Sequence, residues 1–409
     1  MALVINTNIS SLNAQNNLTK SQSALATATE RLSSGLKINS AADNAAGYAI
    51  AQRYTTQIGG LSQASANASD AINLAQTAGS ALDQVTANLQ AIRDLAVQSA
   101  NGTYSSGDRA SIDNEVQQRL QEITRIANQT AFNGSNVLDG SLGTKSFQVG
   151  ANVGQTISVS LTTNVKASAM GSVSSFDSMN LSGAFVSSGT SQSAQTMDLS
   201  KITVAYTGSD GVTTGSVTLA GSASSAQDVS DAINAALSGN VSAAVDGNGG
   251  VSIFSAGSFS VADTGSIDAN SALGTTITKV TGTGATSGTG TTTGAYTDGN
   301  AIAATGSLNG GDVKTVNDAN ALISRIDVAL TTVSDFAAQL GAVQNRFQST
   351  IATVSAQTTN LQASQSTIQD ADFAAETAML SQAQVLQQAG ISVLAQANAQ
   401  PQGALRLLQ

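Results

Sequence analysis

Carboxylates are the one reactive side-chain class that this chain carries in number, with 26 Asp and Glu against 16 Lys and Arg and no His or Cys. A pair of carboxylates set roughly 5–10 Å apart could hydrolyse a glycoside. Here the acidic residues are scattered along polar helix faces, and no segment outlines a substrate cleft. The absence of His removes the commonest general base and zinc ligand, and the absence of Cys removes thiolate chemistry and disulfides. Gly282–Gly290 is glycine-rich but lacks the Lys and the strand–loop–helix setting of a phosphate-binding loop. No catalytic residue, cofactor or metal is expected, and the chain is not expected to be an enzyme. A net charge of −10 leaves no basic patch for nucleic-acid phosphates. There is no run of 18 apolar residues, so no membrane partner is expected.

With so little reactive chemistry, the informative residues are the apolar ones that repeat. Leu61, Ala64, Ala68, Ala71, Ala75, Ala78, Leu82, Val85, Leu89, Ile92 and Ala96 recur at alternating steps of three and four. A side chain returns to the same helical face every 3.6 residues, so this spacing predicts one narrow apolar seam of coiled-coil type. The four charges of the stretch, Asp70, Asp83, Arg93 and Asp94, all fall off the seam. The rod would be about 54 Å long at roughly 1.5 Å per residue, and it needs partners of similar length.

Candidates for those partners lie on both sides of it. Val4, Leu18, Leu25 and Leu32 share a heptad position in residues 3–33, which predicts a helix ended by Ser33-Ser34-Gly35. Ser40-Ala-Ala-Asp43 resembles a capping box opening the next helix. Asn101-Gly102 and Ser106-Gly107 should break the rod, and Ile112, Val116, Leu120, Ile123 and Ala127 predict a further helix. The period then drops to two. Lys145, Phe147 and Val149 alternate, as do Ile157, Val159 and Leu161, with Gly150–Gly154 as a loop, so a β-hairpin is expected.

From about Ser172 to Gly311 the chain is dominated by Ser, Thr, Gly and Ala. Short alternating runs (Ile202–Tyr206, Val217–Leu219, Val251–Ile253, Phe259–Val261) predict strands around one helix at Ala226–Leu237, and Thr281–Asn300 reads as a loop. The helical rhythm then resumes through Ala319, Ile323, Ile326, Leu330, Val333, Ala337, Leu340, Phe347, Ile351, Val354, Leu361 and Ile368. A last helix follows Asp370-Ala-Asp372-Phe373. Met379, Leu386 and Val393 form one row of its seam, and Ala383 and Ala397 another.

The expected fold is therefore mainly α with inserted β. A long coiled-coil-like helical hairpin is built from both chain ends, with a β-hairpin and a mostly β domain inserted in the middle. The boundaries read as 1–45 with 365–409 for a terminal helical domain, 46–172 with 312–364 for a helical rod carrying the hairpin, and 173–311 for the insertion. Residues 1–53 hold Lys20, Arg31, Lys37 and Arg53 against Glu30 and Asp43, and residues 369–409 hold Arg406 against Asp370, Asp372 and Glu376. The two ends thus carry opposite net charge. With aromatics at only 3%, Ala-rich seams bury little area each. Many shallow contacts must then be repeated between copies, and head-to-tail contacts that do not close produce an open helical filament. Val4, Leu18, Leu25, Leu32, Met379, Leu386 and Val393 are the candidate self-assembly seam.

Several segments resemble a known family. Met1-Ala-Leu-Val-Ile-Asn-Thr-Asn, Glu30-Arg-Leu-Ser-Ser-Gly-Leu-Lys-Ile-Asn39 and Asp43-Asn-Ala-Ala-Gly47 resemble the N-terminal signature of bacterial flagellins. Arg93–Asn101, Phe132-Asn-Gly134 and Phe147–Asn152 are similar to their next domain, and Ile368–Phe373 and Gln387–Asn398 to their C-terminus. The resemblance covers about 1–170 and 315–409. In the middle, Asp228-Val-Ser-Asp-Ala-Ile-Asn234 followed by Val241–Ile253 resembles the hook IN motif of flagellins.

The resemblance implies an extracellular subunit of the bacterial flagellar filament, polymerised in many copies and transmitting motor torque for swimming. It also implies export through the flagellar type III channel without a cleavable signal, with an export chaperone, the filament cap and hook-associated proteins as partners. The absence of Cys and the single Pro401 suit a chain that is unfolded and refolded on the way. It implies, too, a patch for the innate receptor Toll-like receptor 5 at Gln90, Arg93, Leu95, Gln98 and Glu115. Ala91 stands where that patch has a basic residue, so weaker recognition is expected. Surface O-glycosylation of the Ser- and Thr-rich insertion is the family alternative to unmodified hydroxyls, the favoured reading. The competing functions are a hook–filament junction protein, which shares the terminal signatures, and an adhesin whose working part is the insertion.

Overall fold

The first helix ends where its last periodic leucine does. α1 (Ile9–Ser34) is capped at its start by Asn8, whose side chain accepts the Ser11 N–H, and at its end by Gly35 at φ 72°, which lets the Gly35 N–H reach the Arg31 carbonyl. A computed structural model describes residues 8–179, 197–208, 213–237, 239–245, 250–263, 280–281 and 306–407. Val4 lies outside them, as do 282–300 of the expected loop. The chain divides into two compact units, Met1–Ser69 with Gln148–Ile157 and Phe347–Gln409, and Asp70–Phe147 with Ser158–Arg346.

α2 (Ala45–Ala100) contains the whole seam read from the sequence, and all eleven of its positions are buried. The expected capping box ahead of it does not form. Asp43 instead accepts the backbone N–H groups of Asn39 and Ser40 in a separate turn, and Asn44 caps the helix by accepting the Gly47 N–H at 2.9 Å. Asn44 directly precedes the first helical turn, four residues nearer to it than Ser40, so it reaches the orphan donors first. α3 (Ser106–Gln129) also begins earlier than its periodicity suggests. Ser105 and Asp108 make a reciprocal capping box, so Ser106 and Gly107 belong to the first turn rather than to the break.

α5 (Val316–Gln369) and α6 (Phe373–Leu407) complete the helices. In α5 the fully buried row is Ala319, Leu322, Ile326, Ala329, Val333, Phe336 and Leu340, while Ile323, Leu330 and Ala337 sit half-buried on its flank. Both rows fit a three-four rhythm and share every seventh residue, so spacing alone leaves them equivalent. Phe336 decides between them, since its ring can be covered on only one of the two rows. An 18-residue window of α5 has mean hydropathy 1.2, so length and composition alone would let it cross a membrane. Its bulky residues make one buried row rather than an apolar surface all round.

β1 (Ala131–Phe132) and β2 (Ser135–Asn136) close a hairpin through Asn133 at φ 48° and Gly134 at φ 77°, the two left-handed residues that such a short turn requires. β3 (Gly143–Gln148) and β4 (Thr156–Leu161) pair as the predicted hairpin. In the first unit its turn end is held on α2. The Asn67 side chain donates to the Gln148 carbonyl at 3.0 Å, and a Cβ on Gly60 would stand 3.1 Å from that of Ala151.

The inserted block belongs to the second unit. β5 (Ser174–Met179), β6 (Met197–Asp198), β7 (Ile202–Thr207), β8 (Thr214–Thr218) and β9 (Ser222–Ala223) precede α4 (Ala226–Ala236). β10 (Val241–Val245), β11 (Val251–Ser255), β12 (Phe259–Asp263) and β13 (Val280–Thr281) follow it. They form antiparallel sheets in the orders β10-β11-β5-β13 and β12-β7-β8, with β6 paired to β9. Ile202, Val204, Val229, Ile233, Val251, Ile253 and Phe259 lie at the centre of one core shared by strands and helix. The chain enters and leaves this block through two segments that bond to each other. Leu308 N–H donates to the Met170 carbonyl at 3.0 Å and Asn309 N–H to that of Ala167 at 3.1 Å. Gly171 at φ 77° is required there, because a Cβ would meet Leu308 and the Arg325 carbonyl at under 3 Å.

Candidate assembly surface

Within the first unit α1 packs along α6. The row of α1 turned inward is Ala14, Leu18, Ser21, Leu25, Ala28 and Leu32, each half-buried or buried. On α6 it is Glu376, Leu380, Ala383, Gln387, Gly390, Leu394 and Ala397. Small residues let the axes come close. A Cβ placed on Gly390 would lie 3.3 Å from Leu18 Cδ1. Polar bonds set the register at both ends of the pair. Asn8 Nδ2 donates to the Ala397 carbonyl at 2.8 Å and Ser11 Oγ to Asn398 Oδ1 at 2.7 Å, while Arg31 lies 3.9 Å from the buried Glu376. The turns are lashed together as well. Lys37 N–H donates to the Gln369 carbonyl at 2.7 Å, and Ala371 N–H to that of Gly35 at 2.9 Å. Asp372 caps α6 by accepting the Ala374 N–H at 2.9 Å.

The pair leaves much apolar surface uncovered. Met379, Leu386 and Val393 are 47%, 49% and 56% exposed, and Ile9, Leu12, Phe373, Val385 and Ile391 are exposed with them. The candidate seam is therefore divided. Leu18, Leu25 and Leu32 are half-buried on the face that α1 turns to α6, whereas Met379, Leu386 and Val393 look outward. Ala383 and Ala397, the second row read from the sequence, are buried. Spacing marks both rows as apolar; only the packing tells which one the chain uses for itself.

The receptor-type patch lies in the second unit, along α2 and α3. Gln90 is exposed. Arg93 donates from Nε to Asp327 Oδ1 of α5 at 2.7 Å, and this hydrogen bond with the carboxylate's charge raises the guanidinium pKa further. Leu95 is half-buried, Gln98 Nε2 donates to the Tyr104 hydroxyl at 3.0 Å, and Glu115 pairs with Arg119 at 2.8 Å. Arg93 and Leu95 are two residues apart, about 200° around the helix, so they fall on opposite flanks of the exposed strip. Sequence reasoning passed over the buried Asp113 of α3, whose carboxylate accepts the Val313 N–H and lies 3.5 Å from Lys314 Nζ. One acid at a seam-adjacent position gives no signal of that kind. Among the described residues no group of three or more His, Cys, Asp or Glu is placed to hold a metal ion.

Comparison with known proteins places this architecture. Residues 5–142 match the bacterial flagellin N-terminal helical region, and 323–408 match the bacterial flagellin C-terminal helical region. The B-type flagellin of Pseudomonas aeruginosa is 39% identical, with all of both chains covered, and the flagellin of Salmonella typhimurium is likewise 39% identical over all of both. The chain belongs to the bacterial flagellin family. It is a structural subunit of the extracellular flagellar filament. Among solved structures, the chain is similar to the flagellar junction protein FlgL from Legionella pneumophila. It is 16% identical, covers 79% of this chain and 100% of its own, and has a TM-score of 0.38. The flagellin relatives align over the whole length of the chain, so the filament subunit is preferred to a junction protein or an adhesin.

Proposed function

We propose that the outward row of α6, Met379, Leu386 and Val393, together with Ile9 and Leu12 of α1, is the seam through which this flagellin joins neighbouring copies. The observation that carries it is the exposure of so many large apolar side chains on one helix pair that has no core behind it. Such surface is costly to leave in water and marks an interaction site. Val4 occupies the same heptad position of the sequence as Leu18, Leu25 and Leu32. Leu18, Leu25 and Leu32 contribute by holding α1 on α6, so that the seam is presented at all.

Three layers follow from this reading. Residues 1–45 and 365–409 form the inner part of the filament, 46–172 and 312–364 the next shell, and 173–311 the surface, with torque from the motor carried along the shared seams. Export in an unfolded state, with a dedicated chaperone before the channel and the filament cap after it, is supported by a chain that has no Cys and one Pro. Toll-like receptor 5 is proposed as a weak partner through Gln90, Arg93, Leu95, Gln98 and Glu115. Ala91 supplies no charge there, and Arg93 is already engaged by Asp327. A reporter-cell titration should show higher potency for Ala91→Arg; unchanged potency counts against the patch.

Seeded growth tests the seam itself. Leu386→Glu should remain a folded, soluble monomer with unchanged helix content yet fail to extend added filament seeds. Extension at the parent rate would refute the assignment.

A further inference from the structure

Among the described residues β10 is the outermost strand of its sheet and pairs on one side, with β11, where Ala243 stands opposite Ile253. An edge strand displays unpaired N–H and C=O groups to any passing chain. The run Val241-Ser-Ala-Ala-Val245 has no charge, no Pro and no Gly, the composition that accepts a further strand most readily. At Ala243, however, the outward groups are already taken. Asn234 Oδ1 accepts the Ala243 N–H at 2.7 Å, and Asn234 Nδ2 donates to the Ala243 carbonyl at 2.8 Å. These are the two bonds that an added strand would make. Ser230, one turn earlier on α4, donates a second bond to the same carbonyl at 2.9 Å. Val241 N–H, further along the edge, is directed to the Leu237 carbonyl at the end of α4.

The helix is held in register for this task. Ser230 and Asn234 are four residues apart and so share a face, while the adjacent Val229 and Ile233 are fully buried in the core of the block. Ser225 and Asp228 cap the helix reciprocally, which sets where its first turn begins. We propose that α4 is an edge guard, with Asn234 filling the hydrogen-bonding place of a missing strand so that β10 cannot pair with β10 of a second copy of this chain. In a polymer the inserted blocks of neighbouring copies stand at high effective concentration. An open apolar edge would then join them. The edge strand β8 of the other sheet, Thr214-Gly-Ser-Val-Thr218, is a poorer template because of its Gly and its row of hydroxyl residues.

The test uses the full-length chain, whose lack of Cys lets introduced thiols report alone. In an antiparallel pair centred on Ala243, Ser242 of one copy stands opposite Ala244 of the other. Chains carrying Ser242→Cys and chains carrying Ala244→Cys are mixed under mild oxidation, with Asn234 either kept or changed to Ala. Asn234→Ala should raise the yield of linked heterodimer at least tenfold. Asn234→Asp keeps an acceptor for the Ala243 N–H but turns an acceptor on the Ala243 carbonyl, which then has only Ser230, and should give a yield between those of the parent and Asn234→Ala. Equal low yields in all three backgrounds would overturn the guard. Amide exchange in the unaltered chain covers the case in which Asn234→Ala does not fold. Protection of the Ala243 N–H by at least a hundredfold is expected, and exchange at the rate of an unstructured amide would overturn the proposal independently.

Discussion

At the scale of single residues, small side chains and short polar bonds decide geometry. Asp139 accepts the Ser141 hydroxyl at 2.6 Å and its N–H at 3.0 Å, with the Asn136 amide at 3.3 Å and Lys166 Nζ at 3.7 Å. The Ser141 bonds above all hold its pKa down, to about 2. A carboxyl depressed in the folded state contributes stability that is present in full above its unfolded value, near 3.8, and is lost as pH falls through about 2. Asp139→Asn should therefore lower the melting temperature at neutral pH and flatten its decline between about pH 4 and pH 2, as followed by circular dichroism. An unchanged acid limb would show that the Ser141 bonds do not matter to folding. The Ser141 bonds make a local turn of the kind Asp139-Gly-Ser141 favours, whereas the Lys166 contact is not legible there, because Lys166 approaches only when the chain has folded back.

At the scale of elements, three-four spacing read from the sequence recovers α2 position by position. It fails to choose between the rows of α5, for a physical reason. A heptad repeat with apolar residues at three positions offers two seams of equal rhythm, and the choice depends on which side a partner covers. Leu322 is fully buried, and Ile323 beside it is half-buried. Leu322→Ala should cost about 2–5 kcal/mol in chemical denaturation, and Ile323→Ala less than half of that. Equal losses would mean that α5 is rotated from the orientation described. The inserted block follows the same logic. Its strands are visible as period-two runs and α4 as a helix, yet the Asn234 bonds to Ala243 depend on a helix and a strand meeting across a turn that no periodicity marks.

At the scale of the whole molecule, the terminal pair buries one apolar row between its own helices and leaves another exposed. Ala383 and Leu386 lie three residues apart on α6, one buried and one 49% exposed. Ala383→Glu should separate α1 from α6 and abolish seeded growth together with the monomer's terminal helix content. Leu386→Glu should abolish growth alone. If both variants lose helix equally, the outward row belongs to the monomer's own packing and the seam lies elsewhere.

The order of helix, hairpin, insertion and returning helix was readable from the chain by itself, because hydrophobic period and glycine punctuation are local properties. The same was true of the flagellin signatures, since they are a matter of residue type and order. Tertiary structure alone decided which apolar row is core and which is surface, that Arg93 is bound to Asp327, and that Asn44 rather than Ser40 caps α2. Those outcomes depend on which distant segment arrives at a given face. Spacing along one strand of chain says that a face is apolar, and only the arrival of its partner says whether that face is spent or still open.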